Sequence, residues 1–367
     1  IVLSEANISG NYTSKIFDAI QIAVWNNISL IRNVPTAEFM FNVDNDADIW
    51  KSIDSGTTWT LVKDDYNEGD ANIGSDYMIK NSSGSLFILR DQKVWFSNDL
   101  GVSWINVNDN YNLGETNDGL VFGINSTNGL FIIEGDQDVW ASTNSGINFT
   151  KVSTDFNGAN GNILGMTINS SDALFAVDAQ ADVWQSINSG VTWTLVKDDF
   201  NGANGNNADD MASNSSNNLF IVANQDVWQS TNSGPTWTLV NDDFNGAGDS
   251  NAGQVINVNS KNHIYIIDGS EDVFQSTNSG QTFSLLVSNF NGANANVVGL
   301  TSVNVSTNLT YHFRNCSSSN CVDGTFKGPD GTTNTFFTNL TSSINLQSRY
   351  FQYIMYFSSN DRNITSW

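Results

Sequence analysis

The chain has 367 residues, with 14 Lys and Arg against 38 Asp and Glu, and a formal net charge of −24 at pH 7. A stripe of Lys and Arg, which phosphate binding requires, is missing, so the composition argues against nucleic acid as a partner. There is no apolar run of about 18 residues, so we expect no membrane span in this chain. The length suffices for two domains that each bury a hydrophobic core.

The first segment, IVLSEANIS over residues 1–9, has the pattern of a β-strand. Two interpretations stay open for it. It is either the first strand of its own domain or an extended segment that pairs with a neighbouring copy of the chain by strand addition. The chain starts at Ile1 rather than Met, which we interpret as a mature product after signal cleavage or as a fragment.

One eight-residue phrase then recurs six times between residues 52 and 283, at steps of 45, 45, 44, 44 and 46 residues. A constant period of this length is typical of repeat architectures and determines the fold class. The six copies are SIDSGTTW (52–59), SNDLGVSW (97–104), STNSGINF (142–149), SINSGVTW (186–193), STNSGPTW (230–237) and STNSGQTF (276–283).

The phrase has the chemistry of a hairpin turn. Gly supplies a positive φ, a preceding Asp or Asn can bond neighbouring backbone N–H groups, and the closing aromatic residue covers the turn. The phrase resembles the Asp-box, or BNR, repeat. That resemblance implies a structural role for the Asp or Asn of each copy, namely Asp54, Asp99, Asn144, Asn188, Asn232 and Asn278.

About four strand-like segments fill each repeat, as in ILGMTIN, LFAVD, DVWQSIN and TWTLVKD between residues 163 and 198. Four strands per 45 residues or so indicate a propeller blade. The first repeat lacks its innermost strand, and a matching strand, VVGLTSVNV (297–305), follows the sixth copy. We therefore predict an all-β chain with a six-bladed Asp-box β-propeller over residues 37–304, whose first blade contains strands from both ends of that region.

Residues 1–36 and 305–367 then form one discontinuous domain that carries the propeller as an insertion, because the ends of a closed ring lie side by side. The phrases FKGPDGTTNTFFT and SRYFQY, joined to the N-terminal flank, resemble a β-sandwich module of archaeal and bacterial surface proteins. The only cysteines, Cys316 and Cys321, have no adjacent histidine for a zinc site, so we predict a disulfide between them.

Thirteen Asn-x-Ser/Thr sequons are candidate N-glycosylation sites and, with the disulfide, favour an extracellular or cell-surface location. The alternative is that an Asn-, Ser- and Thr-rich chain produces some sequons by chance. The thirteen are Asn7, Asn11, Asn27, Asn81, Asn125, Asn148, Asn169, Asn214, Asn304, Asn308, Asn315, Asn339 and Asn363.

The acidity is confined to the repeats. Residues 37–304 have a net charge of −25, and the two flanks together have +1. Solubility and mutual repulsion are one explanation. Calcium is a second, because acidic phrases such as KDDYNEGDAN (63–72) and KDDFNGANGN (197–206) recur between blades and calcium prefers oxygen ligands. The candidate ligands are Asp64, Asp65, Asp198, Asp199, Asp242 and Asp243.

Catalysis has weak support. Asp-box propellers include sialidases, and that resemblance implies three arginines and a tyrosine nucleophile, whereas the repeats contain Arg90 alone and lack a Phe-Arg-Ile-Pro motif. A glycosidase needs only two carboxylates, and those expected nearest the channel are Asp76, Asp118, Asp209 and Asp210. Neither histidine, His263 or His312, has a nucleophile signature nearby.

From the sequence we expect a non-enzymatic structural subunit of an extracellular assembly such as a filament, sheath or surface layer. Its partners would be copies of itself, bound through the sandwich and the N-terminal segment. An adhesin or carbohydrate-binding protein that recognises surface glycans is the first alternative, and a glycoside hydrolase is the second.

Overall fold

A computed structural model describes residues 9–29, 38–67, 76–158, 161–202, 207–246, 251–292, 296–304, 307–337 and 341–359. All regular structure in these ranges is β-structure. In the described ranges there is no helix long and apolar enough to cross a membrane. Contacts divide the chain into two compact units. One is Ala37–Asn304, called here the repeat unit, and the other combines Ile1–Thr36 with Val305–Trp367 and is called the terminal unit.

Twenty-eight strands are formed by the described residues. In chain order they are β1 Ser9–Thr13, β2 Phe17–Ser29, β3 Glu38–Asp44, β4 Ile49–Ser52, β5 Thr60–Lys63, β6 Asp76–Lys80, β7 Leu86–Arg90, β8 Lys93–Ser97, β9 Ile105–Asn108, β10 Gly119–Ile124, β11 Leu130–Glu134, β12 Val139–Ser142, β13 Thr150–Ser153, β14 Ile163–Ile168, β15 Leu174–Asp178, β16 Val183–Ser186, β17 Thr194–Lys197, β18 Asp210–Ser213, β19 Leu219–Ala223, β20 Asp226–Ser230, β21 Thr238–Asn241, β22 Gly253–Val258, β23 Ile264–Asp268, β24 Val273–Ser276, β25 Ser284–Val287, β26 Val297–Asn304, β27 Thr307–Cys316 and β28 Thr341–Ser359.

The repeat unit consists, over its described residues, of six antiparallel four-stranded sheets. Sheet 1 has the order β26-β3-β4-β5, and the other five are consecutive meanders, from sheet 2 (β6–β9) to sheet 6 (β22–β25). Val297 pairs with Asp44 and Asn304 with Glu38, which confirms the predicted pairing of the strand after the sixth repeat with the first repeat. The first strands of the sheets, called here the innermost strands, contact one another in the cyclic order β26, β6, β10, β14, β18, β22 and back to β26.

Burial follows strand position within each sheet. The second strands (β3, β7, β11, β15, β19 and β23) are buried at every position. A strand covered on both faces is expected to be a continuous apolar run, as in LFILR and LFIIE. The fourth strands, such as TLVK in β5 and β17, have exposed residues at their starts, because they form the outer edge of each sheet.

An aromatic residue after each fourth strand packs on two aromatic side chains of the next sheet. Tyr66 contacts Trp95 and Trp104 at centroid distances of 5.6 and 5.5 Å. Phe290, after the last sheet, contacts Trp50 and Trp59 of the first at 5.8 and 4.8 Å. The tryptophans of the repeats therefore form packing contacts between sheets. The remaining members of the series are Tyr111, Phe156, Phe200 and Phe244.

The terminal unit contains one sheet in its described residues. Strand β28 pairs with β27 along one edge and with β1 and β2 along the other. Its core contains Tyr311, Phe313 and Phe351, with Phe17 and Phe337 packed against them. The described residues do not include a second sheet opposite this one. Strand β1 starts at Ser9 and pairs with β28 of its own sheet, whereas the proposed strand-addition segment lies mainly in residues 1–8, outside the described residues.

Candidate functional site

The six Asp-box phrases form closely similar turns. In the first copy, the Ser52 hydroxyl donates to Asp54 Oδ1 at 2.8 Å and accepts from Gly56 N at 2.8 Å. Asp54 Oδ1 also accepts from Thr58 N at 2.8 Å. Gly56 has a φ of +90°, so the turn requires the freedom of glycine. These contacts satisfy backbone groups within the turn and give the Asp or Asn a structural role.

Copies with aspartate and with asparagine differ in one hydrogen bond. The Thr58 hydroxyl donates to Asp54 Oδ2 at 2.7 Å, whereas Asn188 Nδ2 donates to the Thr192 hydroxyl at 2.8 Å. Burial acts to raise the pKa of Asp54, but hydrogen bonds from Thr58 and Ser52 outweigh it and leave this pKa below its usual range. The same turn therefore accommodates either residue type.

A second set of turns, which no sequence pattern indicated, joins the second and third strands. Asp44 Oδ1 accepts from the backbone N–H of Asp46 and Asp48, and its Oδ2 accepts from Trp50 Nε1 at 3.0 Å. Asp178 makes the same contact with Trp184 in sheet 4. Burial raises the pKa of Asp44 to about 6. These acidic side chains therefore serve as hydrogen-bond acceptors for backbone and indole N–H groups.

The six aspartates predicted to bind calcium lie in three separate connections, after β5, β17 and β21. The second member of each pair (Asp65, Asp199 and Asp243) has a positive φ. The backbone N–H of Asp65 donates to Asp48 Oδ1 at 2.9 Å, and that of Asp199 donates to Asp182 Oδ1 at 2.9 Å. The structure does not bring Asp64, Asp198 and Asp242 together, because each belongs to a different sheet, so these pairs form no common ligand set.

Four of the thirteen sequons lie in the turn after an innermost strand. Asn169 Oδ1 accepts from Ser171 N at 3.0 Å and from Ala173 N at 3.1 Å, and the residue is buried. Asn214 is also buried and makes the same pair of contacts. Asn81 and Asn125 have equivalent contacts with half-buried side chains.

These four sequons are therefore explained by turn chemistry, in which an Asn side chain bonds its own backbone two residues on. A glycan on a buried Asn169 or Asn214 would require the amide to leave its turn. Asn148 and Asn315 are exposed. The remaining sequon side chains lie outside the described residues, at Asn7, Asn11, Asn27, Asn304, Asn308, Asn339 and Asn363.

The innermost strands enclose a cavity of about 260 Å³ lined by residues of all six sheets. Asp210 faces it, and its two oxygens accept from Met211 N at 2.8 Å and Ile256 N at 3.0 Å. Burial raises the pKa of Asp210 to about 7 and that of Asp209 to about 6. Tyr77 lines the same cavity and donates its hydroxyl to Leu164 O at 3.0 Å.

The four carboxylates expected near the channel do not form a pair in the described residues. Asp210 lines the cavity but is bonded to backbone, and Asp209 accepts from Asn224 N. Asp118 is exposed, and the side chain of Asp76 lies outside the described residues. His263 donates its backbone N–H to Asn259 Oδ1 in a turn, while the His312 ring contacts Thr335 O in the terminal unit.

A different acidic group converges in sheet 3. One carboxylate oxygen from each of Glu115, Glu134, Asp136 and Asp138 lies within 4.8 Å of the others. Lys151 Nζ contacts both Glu115 oxygens, at 2.8 and 2.7 Å, and also contacts Asp138 Oδ2. Burial is the main cause that raises the pKa of Glu134. The sequence E-G-D-Q-D at 134–138 could have indicated three of these four acidic residues. It gave no indication that Glu115 joins them.

The predicted disulfide is present between Cys316 and Cys321, with a Cα–Cα distance of 5.0 Å. Both cysteines are buried against Tyr350 and Ile16 in the terminal unit. Just after the closed segment, the Asp323 carboxylate accepts from Ser317 N at 2.8 Å. A disulfide is consistent with an extracellular location, because such bonds persist in oxidising compartments.

Comparison with known families gives one match. The family model for Sortilin-Vps10, described as "Sortilin, neurotensin receptor 3", matches residues 92–226, little more than a third of the chain. This is an Asp-box type of β-propeller family, with secreted or membrane-associated members. No curated protein matches the chain in sequence. The repeat unit is thus similar to Asp-box β-propellers.

Solved structures with similar folds include a YCF48 protein bound to D1 peptide, with 13% identity, a TM-score of 0.44 and coverage of 78% of this chain and 86% of that one. A GH74 xyloglucanase from Xanthomonas campestris has 13% identity, a TM-score of 0.49 and coverage of 76% and 47%. A GH74 enzyme from Niastella koreensis has 18% identity, a TM-score of 0.48 and coverage of 74% and 47%. The chain therefore spans about half the length of the two GH74 chains.

Proposed function

We propose that the chain is a non-enzymatic structural subunit of an extracellular cell-surface or filamentous assembly. Its repeat unit would be a six-bladed Asp-box β-propeller, with one blade for each of the six sheets. Its terminal unit would be a discontinuous β-sandwich domain of the type found in archaeal and bacterial surface proteins. The cyclic order of contacts among the innermost strands supports a closed ring, and the origin of the terminal unit in both chain ends supports an insertion.

The observation that carries the proposal is the segregation of charge between the two units. The repeat unit has a net charge of −25, so two copies of it repel each other at short range, most strongly at low salt. The terminal unit has a net charge of +1. Self-association is therefore expected to use the terminal unit, where desolvation and repulsion cost least.

The sheet of the terminal unit has a suitable edge. Strands β1 and β2 pair with β28 on one side, and no other described strand pairs with them on the other. Unpaired N–H and C=O groups on an edge strand can accept another chain by strand addition. Irregular pairing between Asp18 and Ala23, and again between Trp25 and Asn27, interrupts β2, so its pairing with β28 is regular only over short stretches. The N-terminal residues 1–9 of a neighbouring copy are the proposed occupant.

The contacts of the channel acids support the absence of catalysis. A retaining or inverting glycosidase uses two carboxylates that face each other across the scissile bond. Asp210 instead uses both oxygens to satisfy backbone N–H groups of β18 and β22. Its role is therefore to join two neighbouring innermost strands.

An adhesin that binds surface glycans is the second candidate, and one cavity favours it. At the ends of β6, β10, β14 and β18, a recess of about 320 Å³ is lined by repeated Asn-Ser turns. Hydroxyl and amide groups of this kind form the hydrogen bonds that sugars require. The polar lining includes Lys80, Ser82, Ser126, Ser170, Asp172 and Ser215.

The proposal is tested by electron microscopy of the purified chain over a range of concentrations, beside a variant that lacks residues 1–9. We expect the intact chain to form regular polymers and the truncated chain to remain dispersed. The repeat unit of the truncated chain should keep its folding transition, because residues 1–9 belong to the terminal unit. Circular dichroism of both proteins checks this.

Normal polymerisation of the truncated chain would exclude the N-terminal segment as the connecting strand. An intact chain that stays monomeric at high concentration and binds a glycan array would establish the adhesin function instead. Turnover of a polysaccharide would establish the glycoside hydrolase instead.

A further inference from the structure

The acidic group of sheet 3 contains more negative charge than its neighbouring cation can balance. Four carboxylates converge, and the ammonium of Lys151 contacts two of them, Glu115 and Asp138. Two members, Glu134 and Asp138, are buried, with 0% and 2% of their surface exposed. Burying a carboxylate without a compensating charge or donor is costly. A second cation at this position would therefore be strongly attracted.

Glu134 provides an independent indication of a ligand. Its Oε2 atom accepts from Asn112 Nδ2 at 2.9 Å and from the Tyr111 hydroxyl at 3.3 Å. Its Oε1 atom is buried and has no hydrogen-bond partner. The Trp140 indole faces this carboxylate, and its N–H acts to lower the pKa of Glu134 against the effect of burial. Even so, neither Trp140 Nε1 nor Glu134 Oε1 has a partner within hydrogen-bond geometry. One oxygen of a fully buried side chain thus lacks a partner within a group of metal-ligand type.

The other sheets serve as internal references. In sheets 1 and 4, the same position is an aspartate whose Oδ2 accepts from the tryptophan Nε1 at 3.0 Å. Sheet 3 has the longer Glu134 at this position. In sheet 3 the third-strand Trp140 pairs with Lys151, whereas the equivalent Trp184 of sheet 4 pairs with Leu195. No other of the six sheets has a lysine opposite its third-strand aromatic residue. Of these two changes, Lys151 adds a positive charge, whereas Glu134 keeps the negative charge of the aspartate on a longer side chain.

We propose that Glu115, Glu134, Asp136 and Asp138 bind a divalent cation of the calcium type, with Lys151 as a competing counter-charge. Calcium takes six to eight oxygen ligands and tolerates flexible geometry, which suits carboxylates from a buried strand end, a turn and a partly exposed loop. This site is distinct from the three Asp-Asp pairs between sheets. It lies within one sheet and its adjoining loop, and it does not depend on the proposed role in assembly.

The experiment uses the whole 367-residue chain, stripped with a chelator and titrated with Ca²⁺ by calorimetry and with Tb³⁺ by luminescence. Lys151 Nζ lies 5.0 Å from the centre of the Trp140 ring, so Tb³⁺ at this position should be sensitised by that indole. We expect saturable emission that Ca²⁺ displaces. Trp140→Phe should remove the emission and retain Ca²⁺ binding, whereas Trp184→Phe in sheet 4 should retain both.

Removal of one ligand charge by Glu134→Gln should weaken Ca²⁺ binding roughly tenfold or more, because affinity depends on the number of charged ligands. Lys151→Met should strengthen it by removal of the competing ammonium. Glu115→Gln is a second ligand variant at a partly exposed position, and Asp178→Asn in sheet 4 is the matched control that should bind like wild type. Folding of each variant is verified in chelator by circular dichroism.

Two results would overturn the proposal. The first is a wild-type chain with no saturable Ca²⁺ binding and no Trp140-dependent Tb³⁺ emission, which would leave Lys151 as the sole cation of the group. The second is unchanged Ca²⁺ affinity in both Glu134→Gln and Glu115→Gln, which would place any bound ion elsewhere.

Discussion

At the scale of single residues, short polar side chains determine the turns of the repeat unit. Ser, Asp and Asn oxygens accept backbone N–H groups in the Asp-box turn, in the turns after β6, β10, β14, β18 and β22, and in the acidic turn after the second strand. A buried N–H without an acceptor costs more than the net gain from forming one hydrogen bond. The identity of these small residues therefore affects stability more than their size suggests.

The Asp-box serine gives the first prediction. Ser186→Ala removes the acceptor of the buried Gly190 N–H, a contact of 2.9 Å, and should lower the free energy of unfolding by about 1–3 kcal/mol. Asp54→Asn is the control and should change it by less than about 0.5 kcal/mol, since four of the six copies already contain Asn. Denaturant unfolding followed by tryptophan fluorescence measures both. Equal losses in the two variants would contradict this explanation of the turn.

Sequon occupancy gives the second prediction. In a chain exported through a glycosylating secretory pathway, Asn169 and Asn214 should be unmodified in the folded product, because their buried amides form the turn. Asn148 and Asn315 are exposed and should carry glycan. Glycopeptide mass spectrometry measures occupancy at each position. High occupancy at Asn169 in folded protein would show that the turn is dispensable.

At the scale of strands, close approach between neighbouring innermost strands depends on glycine. A Cβ atom placed on Gly299 of β26 would lie 2.8 Å from Met78 N of β6, and one on Gly165 of β14 would lie 2.8 Å from Met211 N of β18. Both obstacles are backbone atoms, which cannot move aside as a side-chain end can. A side chain at either glycine would therefore force the neighbouring innermost strands apart.

Gly299→Ala should separate β26 from β6 and lower the stability of the repeat unit by about 1–3 kcal/mol, as overpacking does. Gly135→Ala is the control, because a Cβ there meets nothing within 4 Å and its φ is not in the left-handed region. Thermal unfolding of the two variants gives the comparison. A Gly299→Ala variant as stable as the control would show that these strands can shift without cost.

At the scale of the whole molecule, acidity affects stability through buried carboxyls and through net charge. Burial raises the pKa of Asp44 and Asp209 to about 6 and that of Asp210 to about 7, against about 3.9 for an unfolded aspartate. The folded state therefore binds more protons than the unfolded state between about pH 4 and pH 7. Stability must then fall as the pH rises through this window.

We expect a higher thermal midpoint at pH 5 than at pH 8. Repulsion within a chain of net charge −24 acts in the same direction, so the comparison is made in high salt, where exposed charges are screened. Asp210→Asn should flatten the pH dependence between pH 5 and 7, and Asp54→Asn should leave it unchanged. A midpoint that rises steadily from pH 5 to pH 8 would contradict the raised pKa values.

The sequence by itself determined the features that depend on local pattern. Its repeat spacing indicated four strands per unit and paired VVGLTSVNV with EFMFNVD. Its Asp-x-Gly and Asn-x-Gly phrases identified the Asp-box turns. The five-residue spacing of Cys316 and Cys321 indicated their bond. These features can be predicted from the sequence because they depend on neighbouring residues in the chain or on a fixed repeat period.

Only the tertiary structure decided which side chains meet and which are buried. The sequon pattern is the same at Asn148 and Asn169, yet the first is exposed and the second is buried in a turn. Glu115 lies in the loop between β9 of sheet 2 and β10 of sheet 3, yet its carboxylate meets those of Glu134 and Asp138 in sheet 3. Packing decides which distant side chains meet and which side chains lose contact with water. The spacing of residues along the chain therefore did not indicate either property.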